Sequence, residues 1–343
     1  MGFSMDIAVL GIDLGKNSCS VVGLDGSGNV ILRRRMQRKT IVVLAAKLSP
    51  CTIAMEACCG AHHLGHAFSA QGHTVRLMSP EYVRPYVKAQ KNDDRDAEAI
   101  AEAATRPTMR FVPVKSTMQQ SILIVHRTRH LLIRQRTQII NALRGHLAEF
   151  GIVAAKGARR VKDLIRIMAE DDNDRLPPFA RDYLAVMVRQ LEDTQLRIAE
   201  LDRTLTVWTK TNDICRRLQT IPGVGAIIST ALVASVGDPA AFKNGRSFAA
   251  WLGLVPKQHS TGGRDKLGAI SKRGDTYLRT LLVHGSRSVL RWRRDTWPWL
   301  EALLRRRPVN VAALAIANKM ARIAWALMRK GGIYETPTPA QPS

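Results

Sequence analysis

Within the first 107 residues, short apolar runs alternate with helix-length stretches, and this texture restricts the fold more than any other feature of the chain. Asp6–Asp13 (DIAVLGID) and Ser18–Asp25 (SCSVVGLD) each read as a strand, and Asp25-Gly26-Ser27-Gly28 is a turn signal. Val30–Met36 completes a meander. A helix over Ile41–Leu48, a strand over Thr52–Met55, a helix after Gly60, a strand over Thr74–Met78 and a helix from about Asp93 follow. Three strands and then β/α alternation predict a mixed sheet flanked by helices, the α/β part of an α/β plus α protein.

Two further textures follow. From about Lys115 to Lys210 the pattern is helical, and Leu184, Met187, Leu191, Thr194, Ile198, Leu201, Leu205 and Trp208 step by three and four, a heptad seam with one polar position. A rougher seam runs through Met118, Ile122, Val125, Leu132, Ile139 and Leu143, with Arg129 and Arg136 on seam positions. Pro177-Pro178 separates the two helices, which fits an antiparallel hairpin or a dimeric coiled coil. From about Leu218 to Tyr334 the chain reads as mostly helical with Gly-rich joints, and 336–343 (TPTPAQPS) as a disordered tail. The expected organisation is therefore an α/β domain over 1–110, a helical linker over 111–215, a C-terminal domain over 216–335 and the tail.

Charge restricts the partner. The chain carries 52 Lys and Arg against 28 Asp and Glu, a net +24. Such an excess opposes compaction and calls for a polyanion, because each phosphate neutralised releases a condensed counterion. Ten basic residues and one acidic residue, Glu149, lie between Lys115 and Lys162, which points to a helix facing nucleic acid. No apolar run approaches the roughly 20 residues that span a bilayer, and no signal peptide is visible, so no membrane partner is expected. Five scattered cysteines without a C-x-x-C pair fit a reduced cytoplasmic protein with no zinc finger.

Four carboxylates stand out by position. Asp13 ends an apolar strand and precedes Leu14-Gly15-Lys16, and Glu56 follows the strand Thr52–Met55. In open α/β sheets ligands sit at that carboxyl edge. Asp93 and Asp96, three apart at a helix start, share a helical face. Taken singly each carboxylate caps a turn or a helix. Taken together, they are the hard oxygen donors that two Mg²⁺ or Mn²⁺ ions require for phosphodiester chemistry. His62 and His66 share the i,i+4 spacing of a zinc helix but lack a third ligand, and Cys58-Cys59 reads as a buried turn.

Ile221-Pro222-Gly223-Val224-Gly225 before an apolar stretch resembles a helix-hairpin-helix, in which Gly223 and Gly225 bring backbone N–H groups to a phosphate. Trp251–Arg279 holds five glycines and seven basic residues counting His259. Lys257, Arg264, Lys272, Arg273 and Arg279 are candidate phosphate contacts there. Ser260 precedes Thr261-Gly262-Gly263; by chemistry alone it reads as a loop serine in a phosphate-binding turn, since a nucleophile needs activation.

These segments together resemble the DEDD-type transposases of the insertion-sequence 110 family. The carriers are GIDLGKNS (Gly11–Ser18), AMEACCGAHH (Ala54–His63), KNDDRDA (Lys91–Ala97), IPGVG (Ile221–Gly225), FAAWLGLVPKQHSTGG (Phe248–Gly263) and ISKRGDTYLRTLLVHGSRSVL (Ile270–Leu290). The resemblance implies an RNase H-like (RuvC-like) first domain, a coiled-coil linker and a helical transposase domain. It implies that Asp13, Glu56, Asp93 and Asp96 hold metal, with Asp94 the alternative to Asp93, and that Ser260 is the nucleophile. It implies DNA as substrate on the nucleoid, a structured noncoding guide RNA, and a dimer or tetramer through the coiled coil. Many relatives carry Ser-Ser-Gly-Gly where this chain has Ser260-Thr261-Gly262-Gly263. Three rival readings are a junction-resolving nuclease that uses only the carboxylates, a sugar-kinase-like ATP site suggested by GIDLG, and a non-catalytic nucleic-acid binder.

Overall fold

A computed structural model describes residues 6–87, 93–155, 157, 160–169, 175–261, 264–292 and 297–335. The chain divides into two compact units, with the boundary between Ser116 and Thr117.

The first unit is built on six strands: β1 (Val9–Asp13), β2 (Cys19–Leu24), β3 (Val30–Met36), β4 (Thr52–Glu56), β5 (Thr74–Met78) and β6 (Phe111–Val112). Their order is β3-β2-β1-β4-β5-β6. The meander pairs antiparallel, β1, β4 and β5 run parallel, and β6 returns antiparallel on β5. The mixed sheet expected from the sequence is therefore present, with β6 a short edge that its two residues did not announce.

Side chains alternate across the strands and sort the core into two layers. Leu10, Ile12, Val21, Ile53, Met55 and Leu77 pack with Ile41 of α1 (Arg38–Ala45) and with Leu64 and Phe68 of α2 (Ala61–Ala70). On the opposite face Val9, Val22, Leu24, Ala54 and Met78 meet Ala97, Ile100, Ala101 and Ala104 of α4 (Asp93–Thr105). The short α3 (Pro80–Val83) leads towards this helix. Gly11 fixes how close α4 comes: a Cβ there would lie 2.4 Å from the Ala97 carbonyl oxygen. Only a residue without a side chain admits the helix backbone at that distance.

The second unit contains a long hairpin of α5 (Thr117–Ala148) and α7 (Pro178–Thr211), with α6 (Val161–Ala169) in the connection. The two long helices are antiparallel: Ile122 packs with Leu205, whereas Ile140, Leu143 and Leu147 pack with Leu184 and Leu191. Arg129, a charge on the rougher seam, is matched across the hairpin by an ion pair with Asp202. The helices that follow are α8 (Asp213–Leu218), α9 (Ala226–Ser235), α10 (Gly245–Trp251), α11 (Thr276–Trp292), α12 (Pro298–Arg306) and α13 (Val309–Lys330). A two-stranded hairpin, β7 (Pro256–Thr261) and β8 (Arg264–Ile270), interrupts them. The sequence pattern gave a Gly-rich joint at this hairpin. Because α9 packs on α5 and α7, the long hairpin and the residues after 215 share one unit.

By length and composition alone, α13 is long and apolar enough to cross a membrane, although the sequence shows no unbroken apolar run of that length. Its alanine-rich face instead forms the centre of the second unit's core, with Ala312, Ala313, Ile316, Ala317, Met320, Ala321 and Ala324 buried. The tail 336–343 lies outside the described residues.

Candidate functional site

Asp13 and Glu56 are the last residues of β1 and β4, adjacent parallel strands whose register pairs Ile12 with Met55. Neighbouring strands lie about 4.8 Å apart, so the two carboxylates leave the sheet side by side. Alternation also fixes their face. Asp13 follows Val9 and Gly11, and Glu56 follows Ala54, all of which look towards α4. The Cys58 thiol registers both charges: its pKa is raised by partial burial of the sulfur and then by Glu56 and Asp13.

The first turn of α4 reaches this edge. Ser20 pairs with Asp13 in the β1–β2 register, and its hydroxyl donates to Asp94 Oδ1 at 3.0 Å. Asp96, two residues on, is half-buried beside Ala97. The side chain of Asp93 lies outside the described residues, as do Lys91 and Asn92 of the same motif. Among the described residues no group of three or more His, Cys, Asp or Glu is close enough to hold a metal ion.

Arg38 joins this edge although nothing in its local sequence announced it. From the start of α1 its guanidinium donates to the carbonyl oxygens of Gly15 at 3.1 Å and Cys59 at 3.4 Å, the turns that follow Asp13 and Glu56. It lies where a Cβ on Gly60 would sit, 2.5 Å from Nη1, and Gly60 opens α2 at φ 91°. The Cys58-Cys59 turn is consequently exposed, not buried as its composition suggested: a guanidinium and a left-handed glycine, not core side chains, hold it. His62 and His66 do not form a zinc helix. His62 Nδ1 accepts from the Lys115 backbone N–H at 3.3 Å, and His66 Nε2 lies 2.9 Å from the Lys115 carbonyl oxygen.

Ser260 sits in the second unit on β7, every residue of which is exposed. Its Oγ lies 2.8 Å from the Gln258 Nε2 donor, and it pairs with Asp265 across the hairpin. Lys257 and Arg264 of the hairpin, and Lys272 and Arg273 at its base, are exposed, while Gly262 and Gly263 lie outside the described residues. The hairpin is fixed from its base. Gly253 and Gly274 have φ values of 70° and 72°, and a Cβ on Gly274 would lie 1.8 Å from the Trp251 carbonyl oxygen. Lys272, at φ 56°, is the one non-glycine with positive φ among the described residues, and its N–H donates to the Gly253 carbonyl at 3.2 Å.

Arg279 is placed differently from the expectation of a phosphate contact. It is 8% exposed, and its guanidinium donates to the carbonyls of Leu252 and Arg273 and to Thr276 Oγ1. It ties the two ends of the Trp251–Arg279 stretch into one base. Gly223 is likewise a packing residue: at φ 82°, its missing Cβ would meet the Gly285 carbonyl oxygen of α11 at 2.6 Å. Gly225, by contrast, precedes α9 with open space around it.

A buried polar knot locks α5 to α9 and α11. His126 lies 3.0 Å from both Tyr277 Oη and Thr230 Oγ1. Thr230 already donates to the Ala226 carbonyl, so it accepts from His126 Nε2–H, and Nδ1 accepts from Tyr277. Burial, then the nearby Arg129 charge, pushes the His126 pKa down to about 4.

A mixed sheet carrying carboxylates at adjoining strand ends, joined in one chain to a basic helical unit, has the make-up of a DNA-processing enzyme, and known proteins give the class. A family model described as "Transposase" matches residues 10–152, and one described as "Transposase IS116/IS110/IS902 family" matches residues 215–301. A probable family 20 transposase of Pseudomonas aeruginosa is 45% identical over 335 residues, covering 96% of this chain and 99% of its own. The transposase for insertion sequence element IS1111A of Coxiella burnetii is 40% identical, covering 96% and 92%. The transposase for insertion sequence element IS1328 of Yersinia enterocolitica is 39% identical, covering 96% and 99%.

The chain belongs to the IS116/IS110/IS902 family of transposases, enzymes that cut and rejoin DNA. The six-stranded sheet with its flanking helices is consistent with an RNase H-like DEDD domain.

Proposed function

We propose that this transposase recombines its insertion sequence by a divided chemistry, with a carboxylate edge in the first unit and a serine nucleophile in the second. The observation that carries the first half is that Asp13 and Glu56 end adjacent parallel strands on the face towards α4. Asp13, Glu56, Asp96 and Asp93 would hold Mg²⁺ or Mn²⁺, which suits an all-oxygen donor set. Asp94, already an acceptor for Ser20, serves less well as a ligand. Bound there, the metal would supply charge stabilisation to the oxygens around a scissile phosphate.

Ser260 Oγ would attack the phosphorus, forming a phosphoserine ester as the 3′ oxygen leaves and the serine proton passes to the medium. The ester keeps the phosphodiester energy, so a DNA 3′-hydroxyl can reverse the step without an external energy source. Support comes from Ser260's position on an exposed strand in a hairpin that carries Lys257 and Arg264, with Lys272 and Arg273 exposed at its base and open space around Gly225 at the start of α9. Arg279 serves as a scaffold for that surface. In this reading a structured noncoding RNA selects the DNA, copies of the chain associate through the long hairpin, and the enzyme works in the cytoplasm on the nucleoid.

The test is recombination of element ends with a target in the presence of the element's RNA. Asp13→Asn and Ser260→Ala should each abolish recombination while leaving DNA binding intact. Normal recombination by Ser260→Ala would leave the carboxylates alone as the catalyst and favour the junction-resolving nuclease.

A further inference from the structure

A cavity of about 770 Å³ lies in the second unit, away from the serine hairpin. The start of α10, Trp299 of α12 and one face of α13 form it, and Arg246, Asn318, Lys319, Arg322 and Trp325 line it with Trp299. Among the described residues no carboxylate lines it, and none of its three cations has an ion-pair partner.

One of the cations sits over aromatic faces. Lys319 Nζ lies 5.2 Å from the Trp299 ring centroid and 5.4 Å from that of Trp297, and the two indoles stack at 6.1 Å. Desolvation and the adjacent Arg322 charge lower the Lys319 pKa. Trp325 is held in place by its Nε1 donating to the Pro239 carbonyl at 2.9 Å. The wall is rigid, because Gly245 packs directly on the Arg322 backbone, where a Cβ would lie 3.1 Å from the carbonyl oxygen.

A volume within the roughly 300–1,000 Å³ of small-molecule sites, with unpaired cations at its rim and indoles in its wall, suits a group that is both anionic and flat. We propose that the cavity takes one unstacked nucleotide of a single strand, its phosphate against Arg246, Lys319 and Arg322 and its base against Trp299. A duplex cannot present a base this way without unpairing it. The strand can be DNA or RNA, which offer the same phosphate and base. This rests on the reading of the chain as a nucleic-acid recombinase, but it concerns binding alone.

The experiment measures binding of the full chain to labelled dT12, rU12, an abasic 12-mer and a blunt duplex in metal-free buffer, where no strand is cut. Lys319→Gln with Arg322→Gln should weaken the single strands about tenfold and flatten the salt slope by about one unit, since each single-strand contact contributes roughly 0.7. Trp299→Leu should weaken dT12 or rU12 about tenfold and leave the abasic strand unchanged, the signature of lost stacking. A matched pair outside the cavity, Arg329→Gln with Lys330→Gln, should have the smaller effect, and thermal melts verify folding of every variant. The relative losses for dT12 and rU12 assign the sugar. Equal losses for both charge pairs, or a Trp299→Leu effect that persists on the abasic strand, overturn the proposal while leaving nucleic-acid binding in place. No binding by the parent chain to any of the four overturns this site and the recombinase reading together.

Discussion

The carboxylate edge and the serine hairpin are positioned by opposite means. Asp13 and Glu56 end strands whose preceding residues are buried, between two packed layers, so the sheet itself sets their spacing. Ser260 stands on a strand with no buried residue, whose base is fixed by Gly253, Gly274 and Arg279. The first arrangement is set by packing on both faces of a sheet, and the second is an exposed polar ribbon. The difference means that the two halves of the chemistry should fail in different ways.

The largest expected effect is at the preorganised edge. Asp13→Asn preserves shape and removes one charged donor, and a metal contribution of several kcal/mol corresponds to a loss of about 1,000-fold or more in strand cleavage. Cleavage assays over a Mg²⁺ or Mn²⁺ titration check it. Cleavage within tenfold of the parent chain would mean that the edge is not catalytic.

Next come the two glycines that set each half. Gly11→Ala drives a Cβ into the Ala97 carbonyl, and Gly274→Ala combines a 1.8 Å contact with φ 72°. Each should cost about 3 kcal/mol or more, read by thermal melts. The consequences should diverge: Gly11→Ala should lose metal-dependent function together with the fold of the first unit. Gly274→Ala should keep metal binding and lose function that needs Ser260. Identical phenotypes would erase the contrast.

A smaller effect is confined to the second unit. His126 is neutral when folded, with a pKa near 4, and ordinary near 6.5 when unfolded. As pH falls below about 6.5 the unfolded chain takes up a proton that the folded chain refuses, so stability declines until about pH 4, by up to roughly 3 kcal/mol. Melting from pH 7.5 to pH 4.5 should show this loss, and His126→Gln should flatten it. An unchanged slope in the variant would remove His126 as the cause.

The smallest expected effect is at Arg38. Arg38→Ala removes two hydrogen bonds to the Gly15 and Cys59 turns, worth about 1 kcal/mol each. Amide exchange should accelerate about fivefold or more in both turns while β1 and β4 stay protected. Acceleration in one turn alone would contradict the bridge.

Much of the first unit was legible because buried strands announce themselves: β5 falls on Thr74–Met78 as read, and β1, β2 and β4 within a few residues. Most of the α7 seam was legible for the same reason, since Leu184, Leu191, Thr194, Ile198 and Leu205 are buried at the stepped positions. The β7–β8 hairpin was not, because an exposed two-stranded ribbon of Lys, Gln, His, Ser and Thr carries no apolar alternation. Arg38 and Arg279 were misread or missed for one reason: a guanidinium that satisfies backbone carbonyls distant in sequence looks, in one dimension, like any surface charge. Of the candidate site, the strand ends were readable from pattern, whereas the role of Ser260 rested on resemblance.

The divided chemistry is tested most directly by mapping the covalent adduct. The full chain is incubated with the noncoding RNA proposed to guide it, Mg²⁺ and a nicked element end that prevents rejoining, then digested and analysed by mass spectrometry. The expected product is a peptide carrying a nucleotide remnant on Ser260, absent from both Ser260→Ala and Asp13→Asn. Cleaved DNA with free phosphate ends and no adduct, or an adduct on another residue, would contradict the assignment of the nucleophile to the hairpin.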